Sequence, residues 1–192
     1  MKKTYLLCAL AIAGCGFVFS SCNKVASVLA TATGISWSGV DMTIAVPAES
    51  DTTVPANVGT GTFSYNLDSL IKSQTNKLLK LSNIDTFEII GCLLTITNPD
   101  ANNNFANFET AQLSFSTRYN STVVNMGEID NNPDSYATTL SVPVNKTVNL
   151  KTYISPLGNT TFNYSLFGKL RRATTASLTV NVHLDYYIHV TP

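Results

Sequence analysis

Residues 178–190 alternate without a break. Leu178, Val180, Val182, Leu184, Tyr186, Ile188 and Val190 are apolar, and Thr179, Asn181, His183, Asp185, Tyr187 and His189 stand between them. A period of two is the repeat of an extended strand with one buried face, whereas a helix would scatter these residues around its circumference. At about 3.3 Å per residue the run spans roughly 40 Å, so a bend or bulge is expected within it.

Shorter runs of the same kind precede it. Val40, Met42, Ile44 and Val46 alternate with Asp41, Thr43 and Ala45, and Pro47 closes that strand because proline donates no ladder hydrogen bond. Residues 49–57 read as a loop, and 59–65 as a strand with Phe63 and Tyr65 on one face. One helix is predicted next, capped by Asn66 or Asp68. Leu67, Leu70, Ile71, Leu78 and Leu81 form its apolar stripe, and Lys72, Lys77 and Lys80 face solvent. The stripe is expected to cover the domain's own core; a helix lying on lipid is the alternative.

Residues 86–97 are apolar on both faces, with Phe87, Ile89 and Leu93 on one side and Ile90, Cys92, Leu94 and Ile96 on the other. This predicts a central strand covered on both sides. Polar turns at 98–104, 130–135 and 156–159 separate further strands at 111–119, 122–126, 138–144, 148–154 and 162–170. Strand runs at this spacing predict a mainly β fold of antiparallel sheets packed face to face, with one short amphipathic helix. The pattern resembles immunoglobulin-like β-sandwiches in architecture only, since the disulfide and buried tryptophan of antibody domains are absent. A closed β-barrel, with the last strand paired to the first, is the alternative.

The N-terminus sets the compartment. Lys2 and Lys3 precede an apolar run over residues 5–19, and Ser20-Ser21-Cys22 follows, the layout of a secretion signal. Small residues directly before a cysteine resemble the lipobox of bacterial envelope lipoproteins, here of the Bacteroidota type, with Phe19 where the commonest lipobox has leucine. The resemblance implies cleavage before Cys22, a diacylglycerol on its thiol and a membrane anchor. A spanning helix needs about 20 apolar residues, and this run is shorter and broken by Gly14, Gly16 and Ser20. An ordinary signal peptide or an uncleaved anchor are the competing readings. The sequence thus divides into a signal at 1–21, a lipidated cysteine and tether at 22–34, and one domain at 35–192. No acid follows the cysteine over residues 23–27, which in the resembling family points to the outer membrane's periplasmic face.

Three candidate sites emerge. His183 and Asp185 share a strand face with His189 and Tyr187, and a histidine two residues from an acid can approach one metal ion if a neighbouring strand adds ligands. Asp130, Asn132 and Asp134 copy the first half of a calcium loop, although Ser135 replaces the glycine and Ser141 the closing glutamate. Lys169, Arg171 and Arg172 form a small basic group suited to an anion or an acidic partner, or to guarding a sheet edge. Trp37, Tyr153 and Tyr187 are candidates for stacking on sugars, with core packing the alternative.

Cys92 is alone in the processed chain, so no internal disulfide forms, and it reads as a buried small hydrophobe. Without Lys2 and Lys3 there are 10 basic and 12 acidic residues, too little positive charge for nucleic acid. No catalytic motif and no cofactor loop is present. The expectation is a non-enzymatic envelope lipoprotein that acts as a structural, adhesion or assembly component through a protein partner. A carrier with an apolar pocket between sheets and helix is the alternative.

Overall fold

A computed structural model describes residues 34–191. Cys22, the signal and the tether up to residue 33 lie outside the described residues. The elements in chain order are β1 (Gly34–Val46), β2 (Ala56–Asn66), α1 (Leu67–Gln74), β3 (Ile84–Ile96), β4 (Phe108–Thr117), β5 (Val124–Ile129), β6 (Thr139–Ser141), β7 (Asn159–Leu170) and β8 (Leu178–Val190). The strands form two four-stranded sheets, β1-β8-β3-β6 and β2-β7-β4-β5, and every pairing is antiparallel.

The expected two-sheet sandwich is therefore present. Its connectivity is that of a jelly roll, since each strand crosses to the other sheet except at the β4–β5 hairpin. Immunoglobulin domains instead arrange strands A, B, E and D against C, F and G. Pairing of β8 with β1 does occur, but β1 and β6 remain edges of their sheet, so it closes no barrel.

β8 is the one-faced strand expected from its alternation, with all seven of its apolar residues buried, and it runs inside its sheet between β1 and β3. It contains no bulge itself. The irregularities fall on its neighbours: between Ser38 and Val40 on β1, opposite Asp185 and Leu184, and on β3 between Ile89 and Gly91, opposite Tyr186 and Asp185, with another between Ile84 and Thr86 at the start of β3. Each extra residue reverses the side-chain parity of its strand. On β3 this turns Phe87, Ile89, Cys92, Leu94 and Ile96 all inward and leaves Ile90 and Leu93 exposed. The strand is thus covered on one face only, correcting the expectation of two covered faces. On β1 the same parity change extends the strand back to Gly34, with Ile35 buried, where the alternation alone suggested a start at Val40.

Two other elements differ from expectation for local reasons. Asn66 caps α1 as predicted, its Oδ1 accepting from the Ser69 amide at 2.9 Å, and Leu67, Leu70 and Ile71 pack into the core. The helix ends at Gln74 instead of running on to Leu81. Thr75 donates its hydroxyl to the Ile71 carbonyl and accepts from the Leu79 amide, while Asn76 and Lys77 adopt left-handed backbone. Residues 148–154, expected as a strand, wind into a 3-10 turn at Leu150–Tyr153. Asn149 caps that turn through the Lys151 amide, which places Leu150, Tyr153 and Ile154 together against the core.

The layer between the sheets is filled by aromatic rings. Phe115 lies 5.6 Å from Phe162 and 5.5 Å from Tyr164, Phe87 lies 5.2 Å from Tyr186, and Trp37 stacks on Tyr186 at 5.1 Å. Such pairs add about 0.5–1.5 kcal/mol each beyond their buried area. At the β1/β2 edge the sheets approach so closely that a Cβ on Gly59 would meet Ile44 Cγ2 at 2.4 Å and the Ala45 carbonyl at 2.8 Å.

The alternation of strands between sheets gives the sandwich two distinct ends. Residues 67–83, 118–123 and 142–158 connect strands at the end where β1 begins and β8 finishes, here called proximal. Residues 47–55, 97–107, 130–138 and 171–177 make up the opposite, distal end.

Candidate functional site

On the outer face of β8, His183 lies directly across from Asp41 of β1, and its Nδ1 stands 2.6 Å from Asp41 Oδ1. Its Nε2 lies 3.5 Å from Asp185 Oδ1. Asp185 in turn accepts from the Ser38 hydroxyl at 2.5 Å, and Thr43 bonds Asn181 at 3.0 Å. These contacts form a polar ladder that ties edge strand β1 to the centre of its sheet. The hydrogen bond His183 donates to Asp41 raises its pKa above the ordinary value, with further help from the Asp41 and Asp185 charges and against the effect of burial.

His189 bonds instead to Asp85 of β3, its Nδ1 3.2 Å from Oδ2. The two histidines are thus drawn to opposite neighbours. Both ring nitrogens of His183 point at carboxylates on opposite edges of the ring, an arrangement that holds a proton and not a shared metal ion. Among the described residues no three histidine, cysteine or acidic side chains converge on one point.

The calcium-loop and basic candidates meet at the distal end. Asn132 is buried, and its amide donates to the carbonyls of Phe105 and Phe108 at 2.7 and 3.0 Å. It therefore faces inward while Asp134 faces out to Arg172, whose Nη2 lies 2.6 Å from Oδ1. Asp130 is exposed, and the three side chains share no centre. Arg171 donates to the carbonyls of Ala106 at 3.0 Å and Asn132 at 2.6 Å, and Lys169 pairs with Glu109 at 2.7 Å. What the sequence offered as a cation loop and an anion cluster are two halves of one internal clasp.

That clasp borders an open cleft of about 430 Å³ lined by Asn102, Asn104, Asn107, Asp134, Tyr136 and Arg172. Asn107 donates to the carbonyls of Asn102 and Ala173 and accepts from the Asn104 amide. Asn103 holds the amides of Thr175 and Ala176. The asparagines are consumed in fixing three loops to one another, so the cleft floor is rigid polar backbone. Its rim offers a guanidinium, a carboxylate and the exposed ring of Tyr136. A surface of this kind can grip a polar chain or loop with donors, acceptors and one aromatic face. The sequence of 98–104 predicts a polar turn; the excess of asparagines over what a turn needs, together with Asn107, is the signal that it does more.

Between the sheets, among the described residues, the packing is close. A recess among Ile89, Cys92, Leu113, Met126, Val142 and Leu184 is too small to admit a water molecule. Cys92 is buried there, and desolvation pushes its thiol up to about 12. Trp37 lies 4.4 Å from Tyr65, and Tyr153 is buried 5.0 Å from Phe115. Both serve packing, and Tyr153 is not on an outer face because its segment is a turn. Tyr187 stays on the outer face, its hydroxyl over Gly34. A shallow apolar groove of about 230 Å³, lined by Leu81, Ile84, Lys151, Ile154 and Pro156, marks the proximal end.

No protein-family model and no curated protein sequence matches the chain. Among solved structures it is similar to the structure of infectious bursal disease virus, Gt strain. Identity is 9%, 81% of this chain and 33% of that chain are covered, and the TM-score is 0.39. It is also similar to a particle of Israeli acute paralysis virus, at 11% identity over 86% of this chain and 77% of that chain, with a TM-score of 0.34. A third likeness is to GH31 CBM32-2 bound to GalNAc, at 14% identity over 71% and 70%, with a TM-score of 0.29. The chain spans about a third of the length of the first of these. At such identities and scores the likeness stops at the sandwich and carries nothing about ligands or activity.

Proposed function

We propose that this protein is a non-enzymatic envelope lipoprotein, anchored through a lipid on Cys22 at the periplasmic face of the outer membrane. It acts as a structural, adhesion or assembly component by contact with a protein partner. One observation carries the reading. β1 enters the sandwich at the proximal end, whereas the polar cleft with Tyr136 and Arg172 opens at the distal end. A chain tethered ahead of Gly34 is therefore attached at the end opposite the cleft. Eleven residues lie between Cys22 and Gly34, a maximum reach of roughly 40 Å. The filled interior supports contact over carriage, since an apolar cargo needs an enclosed volume.

The test has two arms in the producing cell. Cys22→Ser is expected to abolish lipid attachment and move the protein from the detergent phase to the aqueous phase; unchanged partitioning refutes the anchor. A photocrosslinking residue at Tyr136 is expected to trap a discrete protein partner, while the same residue at Thr60, on the outer face of β2, is not. No product from position 136, or equal products from both, refutes the distal contact. Native mass spectrometry checks the competing carrier reading, with a bound apolar mass as the adverse result.

A further inference from the structure

The charged residues of this nearly neutral chain are sorted by end. The proximal connections carry Lys72, Lys77, Lys80, Arg118, Lys146 and Lys151, against the single acid Asp68. The distal connections carry Glu49, Asp51, Asp100, Asp130 and Asp134, against Arg171 and Arg172. Lys72 is paired with Asp68, and the other five proximal cations are exposed and form no ion pair within 4 Å among the described residues, Lys80 alone feeling the Asp68 charge at longer range. Asp85, at the start of β3, is held by His189. The body is thus an electrical dipole whose positive pole is the end where β1 begins.

The same end projects apolar tips. Leu157 is 89% exposed on the turn closed by Gly158, which has a φ of +86° and packs its backbone against the start of α1. Val123, Tyr119 and Leu78 are also exposed there, and the Leu81–Pro156 groove lies beside Lys151. Lysines and an arginine around protruding leucine, valine and tyrosine side chains suit a bilayer interface. The cations meet headgroup phosphates, and the apolar tips enter the acyl boundary.

We infer that the proximal end of the sandwich is a docking surface for anionic lipid headgroups, with Lys77, Lys80, Arg118 and Lys151 as the cations and Leu157 as the inserted tip. This rests on the anchored reading for its setting, because a lipid on Cys22 would deliver that end to the membrane. It goes further by fixing the orientation of the body. Docked in this way, the protein stands upright with its acidic, cleft-bearing end repelled from the bilayer, where a tether alone would let it tumble.

The test uses the processed protein purified from membranes and reconstituted into vesicles of phosphatidylcholine, alone or with about 30 mol% phosphatidylglycerol. An environment-sensitive fluorophore is placed at Leu157→Cys or, as the distal control, at Val54→Cys; the buried Cys92 thiol does not compete. With phosphatidylglycerol the probe at 157 is expected to shift to the blue and be quenched by lipid-borne quenchers, and both effects should fade in high salt. The probe at 54 should stay aqueous. Changing Arg118, Lys80 and Lys151 to glutamate should weaken docking by at least roughly a hundredfold, from about fivefold per cation.

An aqueous probe at 157 in vesicles that retain the protein overturns docking and leaves the anchor standing. Equal lipid contact at 54 overturns it as well. Loss of the protein from neutral vesicles refutes the anchor instead, and salt-sensitive binding to anionic vesicles alone would then support docking by itself.

Discussion

Tyr164 and Tyr186 offer the sharpest test of how the two sheets are joined. Tyr164 projects from β7 and Tyr186 from β8, each is 1% exposed, and their hydroxyl oxygens lie 2.5 Å apart. Each hydroxyl is the other's hydrogen-bond partner, and the bond spans the core from one sheet to the other. Tyr164→Phe keeps the ring and the packing but strands the Tyr186 hydroxyl in apolar surroundings, at a cost of about 1–3 kcal/mol. Tyr186→Phe does the same to Tyr164. The double variant strands nothing, so it should cost no more than about 1 kcal/mol, less than either single change. Urea denaturation followed by the single tryptophan, Trp37, reports on this region directly because Trp37 stacks on Tyr186. In melting temperature each single change should cost about 2–4 °C per kcal/mol for a body of this size. The pH arm has a definite sign. Burial is the main cause raising both phenol pKa values, so the unfolded chain ionises near pH 10 while the folded chain holds its protons. Stability should be intact below pH 10 and fall above it by about 1.4 kcal/mol per pH unit for each phenol, and the double variant should flatten that fall. Additive single and double costs, or an alkaline limb unchanged in the double variant, would refute a sheet-to-sheet hydrogen bond.

Two further outcomes follow from the polar networks. Asp41→Asn should lower the His183 pKa toward its ordinary 6.5, as read by NMR titration of the ring. In the native chain the contribution of this pair is complete below pH 6.5 and is lost as pH rises through the raised value; an unmoved titration curve would show that Asp41 is not the cause. Asn107→Ala removes two donated bonds and one accepted bond from a buried amide and should destabilise by about 2–4 kcal/mol in denaturant titration. A loss below about 1 kcal/mol would mean the distal loops hold together without it.

Much of the fold was readable from periodicity. The runs on β7 and β8 have the same parity in sequence and in structure, because neither strand contains an inserted residue. β1 and β3 were misread at their bulges. An extra residue in a ladder is set by the partner strand's register, and an isolated sequence does not carry that register. The α1 cap was legible at Asn66 because it is a contact over three residues, whereas the helix end depended on Thr75 bonding both Ile71 and Leu79.

The candidate site divides in the same way. His183, Asp185, Arg171, Arg172, Asp134 and Asn132 were all singled out by residue type, yet their roles came from partners 24 to 147 positions away. By itself the sequence determined the β class, the single short helix and the alternating faces, because these depend on neighbours within a few residues. Only the tertiary structure decided which sheet each strand joins, that the acidic and basic loops clasp each other, and that the cleft and the cationic pole sit at opposite ends. Those outcomes depend on long-range antiparallel pairing, which brings together residues that no local pattern relates.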